Sequence, residues 1–286
     1  MEIYLDCLPC ILRQALEASR ISTEKNELHC EIMDEAICVL SQYKSYQTPP
    51  QIVREMHRIV KDKTGVTDPY YQIKQRDLQT ALKLYPELKK YTVGKDFLYW
   101  ALKVAATGNV LDSGIYLDYG IEKVLDTEVK QPFAVCDIKF FKKKLGTAKN
   151  ILIIGDNAGE TVFDRILLGF LWNHRITYAV KEAPIINDAT TEDAHASGLD
   201  QYAQIITTGS DVPGVKLGEC SNIFLDCFYN ADIVISKGQG NYETLSDCDR
   251  DIFFLLKAKC PVVAGLLSVD LNAYVFKYMD GCRKER

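Results

Sequence analysis

Long apolar runs are what this 286-residue sequence most clearly lacks. None approaches the roughly 18–20 residues that a membrane-spanning helix needs, so no bilayer-crossing segment is expected. Met1-Glu2-Ile3-Tyr4-Leu5-Asp6 has neither the basic start nor the apolar stretch of a secretory signal, and the expected setting is the cytoplasm. Charge of one sign is also scarce. The formal net charge is -5, and the basic residues are scattered apart from Lys142-Lys143-Lys144 and the Arg283-Lys284-Glu285-Arg286 tail, which argues against a nucleic-acid partner. Only 4 histidines are present, so an imidazole-based zinc centre has little to draw on. Neither His29 nor His57 has a metal-ligand partner at helical spacing.

The 10 cysteines are too sparse for a disulfide scaffold and read as reduced thiols. Cys30, Cys38 and Cys227 lie among apolar neighbours and are expected to pack as small hydrophobes. Cys7 and Cys10 stand apart, because Cys7-Leu8-Pro9-Cys10 opens an amphipathic helix, where a C-x-x-C pair can be structural, hold half a metal site or do redox chemistry. No second C-x-x-C completes a zinc site, and no βαβ pattern surrounds this one as a thioredoxin-like motif requires.

Periodicity divides the chain near residue 146. Up to there the spacing is helical, with helices predicted at 27–42, 50–64, 71–85, 96–107 and 121–129 and Pro-containing breaks between them, Tyr85-Pro86 included. Beyond it, strand-like runs at 150–154, 176–180, 204–207, 232–235, 252–256 and 261–265 appear, the first four separated by helical segments. Such alternation predicts βαβ units and a mainly parallel sheet. The expected fold is therefore α/β, with a helical domain over 1–146 and a domain built on a mainly parallel sheet over 147–286.

Three predicted strand ends carry chemistry. Ile151-Leu152-Ile153-Ile154 runs into Gly155-Asp156-Asn157-Ala158-Gly159-Glu160. The second strand ends in Lys181-Glu182-Ala183-Pro184-Ile185-Ile186-Asn187-Asp188, and a later one in Ser236-Lys237-Gly238-Gln239-Gly240-Asn241. Parallel strands bring such ends to one edge, where open α/β sheets bind ligands. Asp156 or Asn157 alone would read equally well as a helix cap. Together with Asp188 they form an all-oxygen set suited to a hard cation such as Mg²⁺ or Mn²⁺. Lys237 with its two glycines suits phosphate, although no Walker motif is present. In the helical half, Gly108 and Asn109 either end a helix or, with Asp112, reach toward a cleft.

Taken as a set, Asp156-Asn157-Ala158-Gly159-Glu160, Asn187-Asp188 behind a Lys-x-x-Pro segment, and Lys237-Gly238-x-Gly240-Asn241-Tyr242-Glu243 resemble the damage-control phosphatase family (ARMT-like, domain of unknown function 89). Gly108-Asn109, Asp112 and Cys7-x-x-Cys10 fit as well, the last pointing to the archaeal and bacterial branch. The resemblance implies a helical N-terminal part packed on a Rossmann-like α/β domain over 147–286, with a divalent cation (Mn²⁺, Co²⁺, Ni²⁺ or Mg²⁺) on Asp156, Asn157 and Asp188. It also implies hydrolysis of small phosphorylated metabolites such as sugar phosphates. Glu160, Lys237, Gly238, Gln239, Gly240 and Asn241 would contact substrate, joined by Asn109 and Asp112. The candidate catalytic carboxylates are Asp156, Glu160 and Asp188, with two routes open: Asp156 as a nucleophile that forms an aspartyl-phosphate, or attack by water that Glu160 or Asp188 orients or deprotonates. The eukaryotic branch's late Arg-Thr-x-Lys motif corresponds here to Leu256-Lys257-Ala258-Lys259, where Lys259 alone matches and supplies a second phosphate-binding lysine. Two alternatives stand beside this reading. Ile154-Gly155-Asp156-Asn157-Ala158-Gly159 superficially resembles the first loop of an S-adenosylmethionine-dependent methyltransferase, and a non-enzymatic metal or metabolite binder could use Cys7 and Cys10.

Overall fold

The computed structural model describes residues 1–94, 96–113 and 121–281. Five helices come first: α1 (Cys7–Ser22), α2 (Asn26–Ser41), α3 (Pro49–Thr64), α4 (Tyr71–Leu88) and α5 (Phe97–Thr107), all close to the predicted spans. Their ends follow local chemistry. The α3 start is a capping box in which the Gln51 side chain accepts from the Thr48 amide (3.0 Å), and Gly65, with φ 71, ends it in the left-handed conformation. Pro86, read as a break, instead lies inside the last turn of α4, and a 3₁₀ turn follows. A 3₁₀ segment, Gly108–Ser113, carries the chain on from α5.

After α6 (Ile121–Lys130) come β1 (Phe133–Cys136), α7 (Ile138–Leu145), β2 (Asn150–Ile154), α8 (Glu160–Phe170), β3 (Arg175–Val180), α9 (Thr191–Ala196), β4 (Gln204–Thr207), α10 (Asn222–Asn230), β5 (Ile233–Lys237), α11 (Gln239–Leu245), β6 (Ile252–Lys257), α12 (Pro261–Leu267) and β7 (Tyr274–Met279). The strands form one sheet in the order β1-β7-β6-β5-β2-β3-β4, parallel except for the β6–β7 pair. Two of its strands, β1 and β7, have no counterpart in the sequence reading. Because β1 pairs with β7, residues on the N-terminal side of the expected boundary at 146 already belong to the sheet. The strand expected at 261–265 is instead α12. A five-residue apolar run does not distinguish strand from buried helix, and Pro261, in the first helical turn behind the extended Cys260, favours the helix.

Pleating sorts the strands' side chains onto two faces. Ile151, Ile153, Tyr178, Ile233, Ile235, Phe253 and Leu255 join a core with residues of α4, α5 and α8. Leu152, Ile154, Ala179, Val234, Phe254 and Leu256 join a second core with residues of α1, α3, α10 and α12. The N-terminal helices thus cover both faces of the sheet. A buried ion pair between Lys74 of α4 and Asp193 of α9 (3.0 Å) and a Lys61 hydrogen bond to the Pro184 carbonyl (2.5 Å) tie them to its carboxyl edge. Cys30 and Cys38, expected among apolar neighbours, are exposed on α2, while Cys227 is half-buried. All nine described cysteines are free.

Candidate active site

From β2 the chain winds outward to β3 and β4, then returns to place β5 on the other side of β2. That reversal opens a crevice at the carboxyl ends of β2 and β5, the place where doubly wound sheets bind ligands. Asp156 and Asn157 leave β2 there. The loop after β3 folds back over them: the Ala189 amide donates to the Asp156 carbonyl (2.8 Å), the Ala158 amide to the Asn187 carbonyl (2.9 Å), and Asn157 bridges Asp188. A cavity of about 400 Å³ results, lined on the sheet side by Asp156, Asn157, Asp188, Gln239, Gly240 and Lys259. The N-terminal helices and the segment after α5 close it with Gln14, Val53, Tyr70 and Asn109.

Under the floor runs a buried polar chain. Glu160, the first residue of α8, accepts hydrogen bonds at Oε1 from the Asn109 and Asn157 amides (2.6 and 3.1 Å) and at Oε2 from Lys237 (2.6 Å). Lys237 also pairs with Asp164 (2.7 Å), one helical turn beyond Glu160, and Asp164 accepts from the Tyr178 hydroxyl (2.6 Å). Burial tends to lower the Lys237 pKa, but Asp164 and Glu160 outweigh it and hold the ammonium charged. A second buried lysine, Lys181, donates to the Gly214 carbonyl (2.5 Å) and to Asn241 Oδ1 (3.5 Å) and lies 3.6 Å from Asp188. Asn241 in turn donates to the carbonyls of Gly155 (2.9 Å) and Lys237 (2.6 Å), joining the ends of β2 and β5.

Asp156 is the focus of the electrostatics. Burial raises its pKa well above the usual carboxylate range; Glu160 and Asp188 add to the rise, and Lys259 and Lys237 oppose it. The carboxylate rests directly on the backbone of Gly238, where a Cβ would fall 2.0 Å from Oδ2. Gly238 also has φ 79 and ψ 166, a conformation open essentially to glycine alone.

The damage-control phosphatase ARMT1-like domain matches residues 3–275, almost the entire chain. The chain belongs to the damage-control phosphatase family. A damage-control phosphatase of Pyrococcus horikoshii is 35% identical over 96% of this chain and 97% of its own length. Another, of Archaeoglobus fulgidus, is 30% identical over 98% of this chain and 100% of its own. The crystal structure of a DUF89 family protein from Pyrococcus horikoshii superposes with a TM-score of 0.90 at 33% identity, covering 96% of this chain and 98% of that one. The family carries metabolite-phosphatase chemistry, and the methyltransferase and non-enzymatic alternatives give way to it.

Within this phosphatase framework the expected residues separate into two tiers. Asp156, Asn157, Asp188, Asn109, Gln239, Gly240 and Lys259 meet at the cavity. Glu160 and Lys237, expected to touch substrate, are 2% and 0% exposed and spend their charges on each other beneath the floor. Asn241 staples two strand ends, and Gly238 seats Asp156. The Asp112 side chain lies outside the described residues. Sequence reasoning missed Asp164, Tyr178 and Lys181. The four-residue spacing of Glu160 and Asp164 was a usable sign, since it places both on one face of a helix. Lys257, shared with Glu128 (2.8 Å), also reaches the cavity, and its position at the end of β6 was the available signal. Cys7 and Cys10 open α1, one buried and one exposed, and burial raises the Cys7 thiol pKa, the opposite of redox activation.

Proposed function

We propose that the chain hydrolyses phosphate monoesters of small metabolites at this cavity, with a divalent cation held by Asp156, Asn157 and Asp188. The convergence of these three oxygen-bearing side chains with Lys259 in one cavity carries the reading. The donor set fits a hard cation, because the carboxylates crowd Asp156 while Lys237 is committed to Glu160 and Asp164. Among the described residues no three or more His, Cys, Asp or Glu are grouped as metal ligands, so amide and water oxygens must complete the coordination. When bound, the cation polarises a phosphoryl oxygen and offsets the charge that develops on it.

The remaining work falls to the chain's own groups. Lys259, on the cavity wall, is the phosphate's cationic partner, whereas Lys237 serves the floor. Water is the nucleophile: it attacks phosphorus as the ester P–O bond breaks, Asp188, which lines the cavity, accepts its proton, and the departing alkoxide takes a proton from solvent. Glu160 is unsuited to that task, being buried and paired with Lys237. The polar rim formed by Gln14, Glu17 and Gln239 offers donors and acceptors to a hydroxylated substrate body. The expected setting remains the cytoplasm, where free cysteines stay reduced.

The decisive experiment is phosphate release from a panel of sugar phosphates by chelator-treated protein, with Mn²⁺, Co²⁺, Ni²⁺ or Mg²⁺ restored one at a time. Release that depends on added cation and disappears in Asp156→Ala is expected. Release that survives chelation, or no release with any cation, would remove the proposal.

A further inference from the structure

Asn109 and Asn157 come from opposite sides of the site, one from the segment after α5 and the other from the β2 end, yet both amide nitrogens turn to the same Glu160 oxygen. A carboxylate bearing an ammonium at 2.6 Å accepts hydrogen bonds and donates none, so only the NH₂ end of each amide can face it. Both carbonyl oxygens therefore point away from Glu160. The Asn109 NH₂ also reaches Asp156 Oδ2 (3.4 Å), which fixes the amide plane further. Its Oδ1 is left buried with no hydrogen-bond partner, in a residue 7% exposed that lines the cavity. Buried acceptors are nearly always satisfied, and an orphan of this kind beside a carboxylate cluster marks a place where an ion or its water completes the set. The approach is built in. Gly108 lets the segment after α5 run against the start of α8, where a Cβ would meet Phe163 and the Glu160 backbone at 3.0–3.1 Å.

We propose that Glu160 is a positioning residue of the cation site, and that by pinning both NH₂ groups it presents the Asn109 carbonyl as a further oxygen donor to the cation beside Asn157. The inference rests on the cation reading above and gives Glu160 and Asn109 different work from substrate contact. Lys237 belongs to the same device, since it holds the second Glu160 oxygen at 2.6 Å and so fixes the carboxylate that the two amides meet.

The test is Mn²⁺ binding to the full-length, chelator-stripped protein without substrate, read from the electron paramagnetic resonance signal of free Mn²⁺. Glu160→Gln is expected to weaken binding by about 10–100-fold, the usual effect of removing a group that orients a ligand, and Asn109→Ala, which removes the donor itself, by at least as much. The double variant should weaken it by less than the product of the two, because part of the Glu160 effect runs through the Asn109 carbonyl. Thermal melts establish that each variant is folded. If Glu160→Gln does not fold, Asn109→Ala decides alone, since that change leaves the Glu160–Lys237 pair in place. Wild-type affinity in Asn109→Ala, with or without a raised KM for substrate, would overturn the proposal. So would wild-type affinity in folded Glu160→Gln with only kcat reduced, the signature of a proton-transfer group. Failure of the wild-type protein itself to bind Mn²⁺ would sink the cation reading and this inference together, whereas binding by wild type and variants alike sinks only the inference.

Discussion

Replacing Lys237 by methionine tests whether the buried chain beneath the cavity is organised as described. The ammonium lies 2.6 Å from Glu160 and 2.7 Å from Asp164, with the lysine 0% exposed. Methionine preserves much of the length but leaves two carboxylates facing each other in a low-dielectric interior. Removing one partner of a buried ion pair costs about 3–5 kcal/mol. At roughly 2–4 °C per kcal/mol, a value for chains somewhat shorter than this one, the melting temperature should fall by about 6–20 °C at neutral pH. The pH dependence supplies the sharper check. Burial raises the Asp164 carboxyl to about 6 from 3.8, with Lys237 opposing the rise. Over that interval the folded state binds the proton more tightly than the unfolded state, so this group's contribution to stability declines as pH rises from about 4 through about 6 and is level above. Loss of the ammonium moves the folded pKa higher and extends the decline. The gap between wild type and Lys237→Met should therefore be widest above about pH 7 and narrow near about pH 5, as the variant's Asp164 becomes protonated. Differential scanning calorimetry at the two pH values measures it. An unchanged melting temperature at neutral pH, or a gap independent of pH, would refute the account.

Two further outcomes follow from the same geometry. Gly238→Ala combines a backbone conformation that costs a non-glycine residue about 1–3 kcal/mol with a Cβ 2.0 Å from Asp156 Oδ2. It should displace that carboxylate and abolish phosphate release in a protein that still melts cooperatively, and full activity would contradict the placement of Asp156. Cys7→Ser/Cys10→Ser should leave phosphate release intact, because neither thiol lines the cavity. Lost turnover in the folded double variant would show that the pair takes part.

Much of the site was legible before any fold was known, for local reasons. Four consecutive apolar residues, Ile151 to Ile154, announce a strand covered on both faces. The glycines and oxygen-bearing side chains that follow announce its functional end. Parallel strands then oblige Asp156, Asn157 and Asp188 to converge, and they do. Lys237 was legible as a candidate, but its burial was not. The run 232–235 was read as ending before it, whereas β5 continues through Lys237. Pleat parity therefore sends its side chain to the same face as Ile233 and Ile235, beneath α8, rather than to the open edge. The burial of Glu160 was not legible either, for a related reason. Its burial depends on Asn109 and Lys237, which arrive from 51 residues before it and 77 after it, and no local pattern encodes such an encounter.

What the sequence by itself determined, then, is where strands and helices alternate and which polar residues stand at strand ends, because both follow from side-chain period and backbone preference within a few residues. Tertiary structure alone decided the rest. It brought Asn109 against the sheet edge, made β7 antiparallel to β6, turned 261–267 into a helix, and divided the expected residues between cavity and floor. Those outcomes depend on desolvation and charge pairing between segments far apart in the chain. A buried lysine and a cavity-lining lysine carry the same letter in the sequence and differ only in what folds over them.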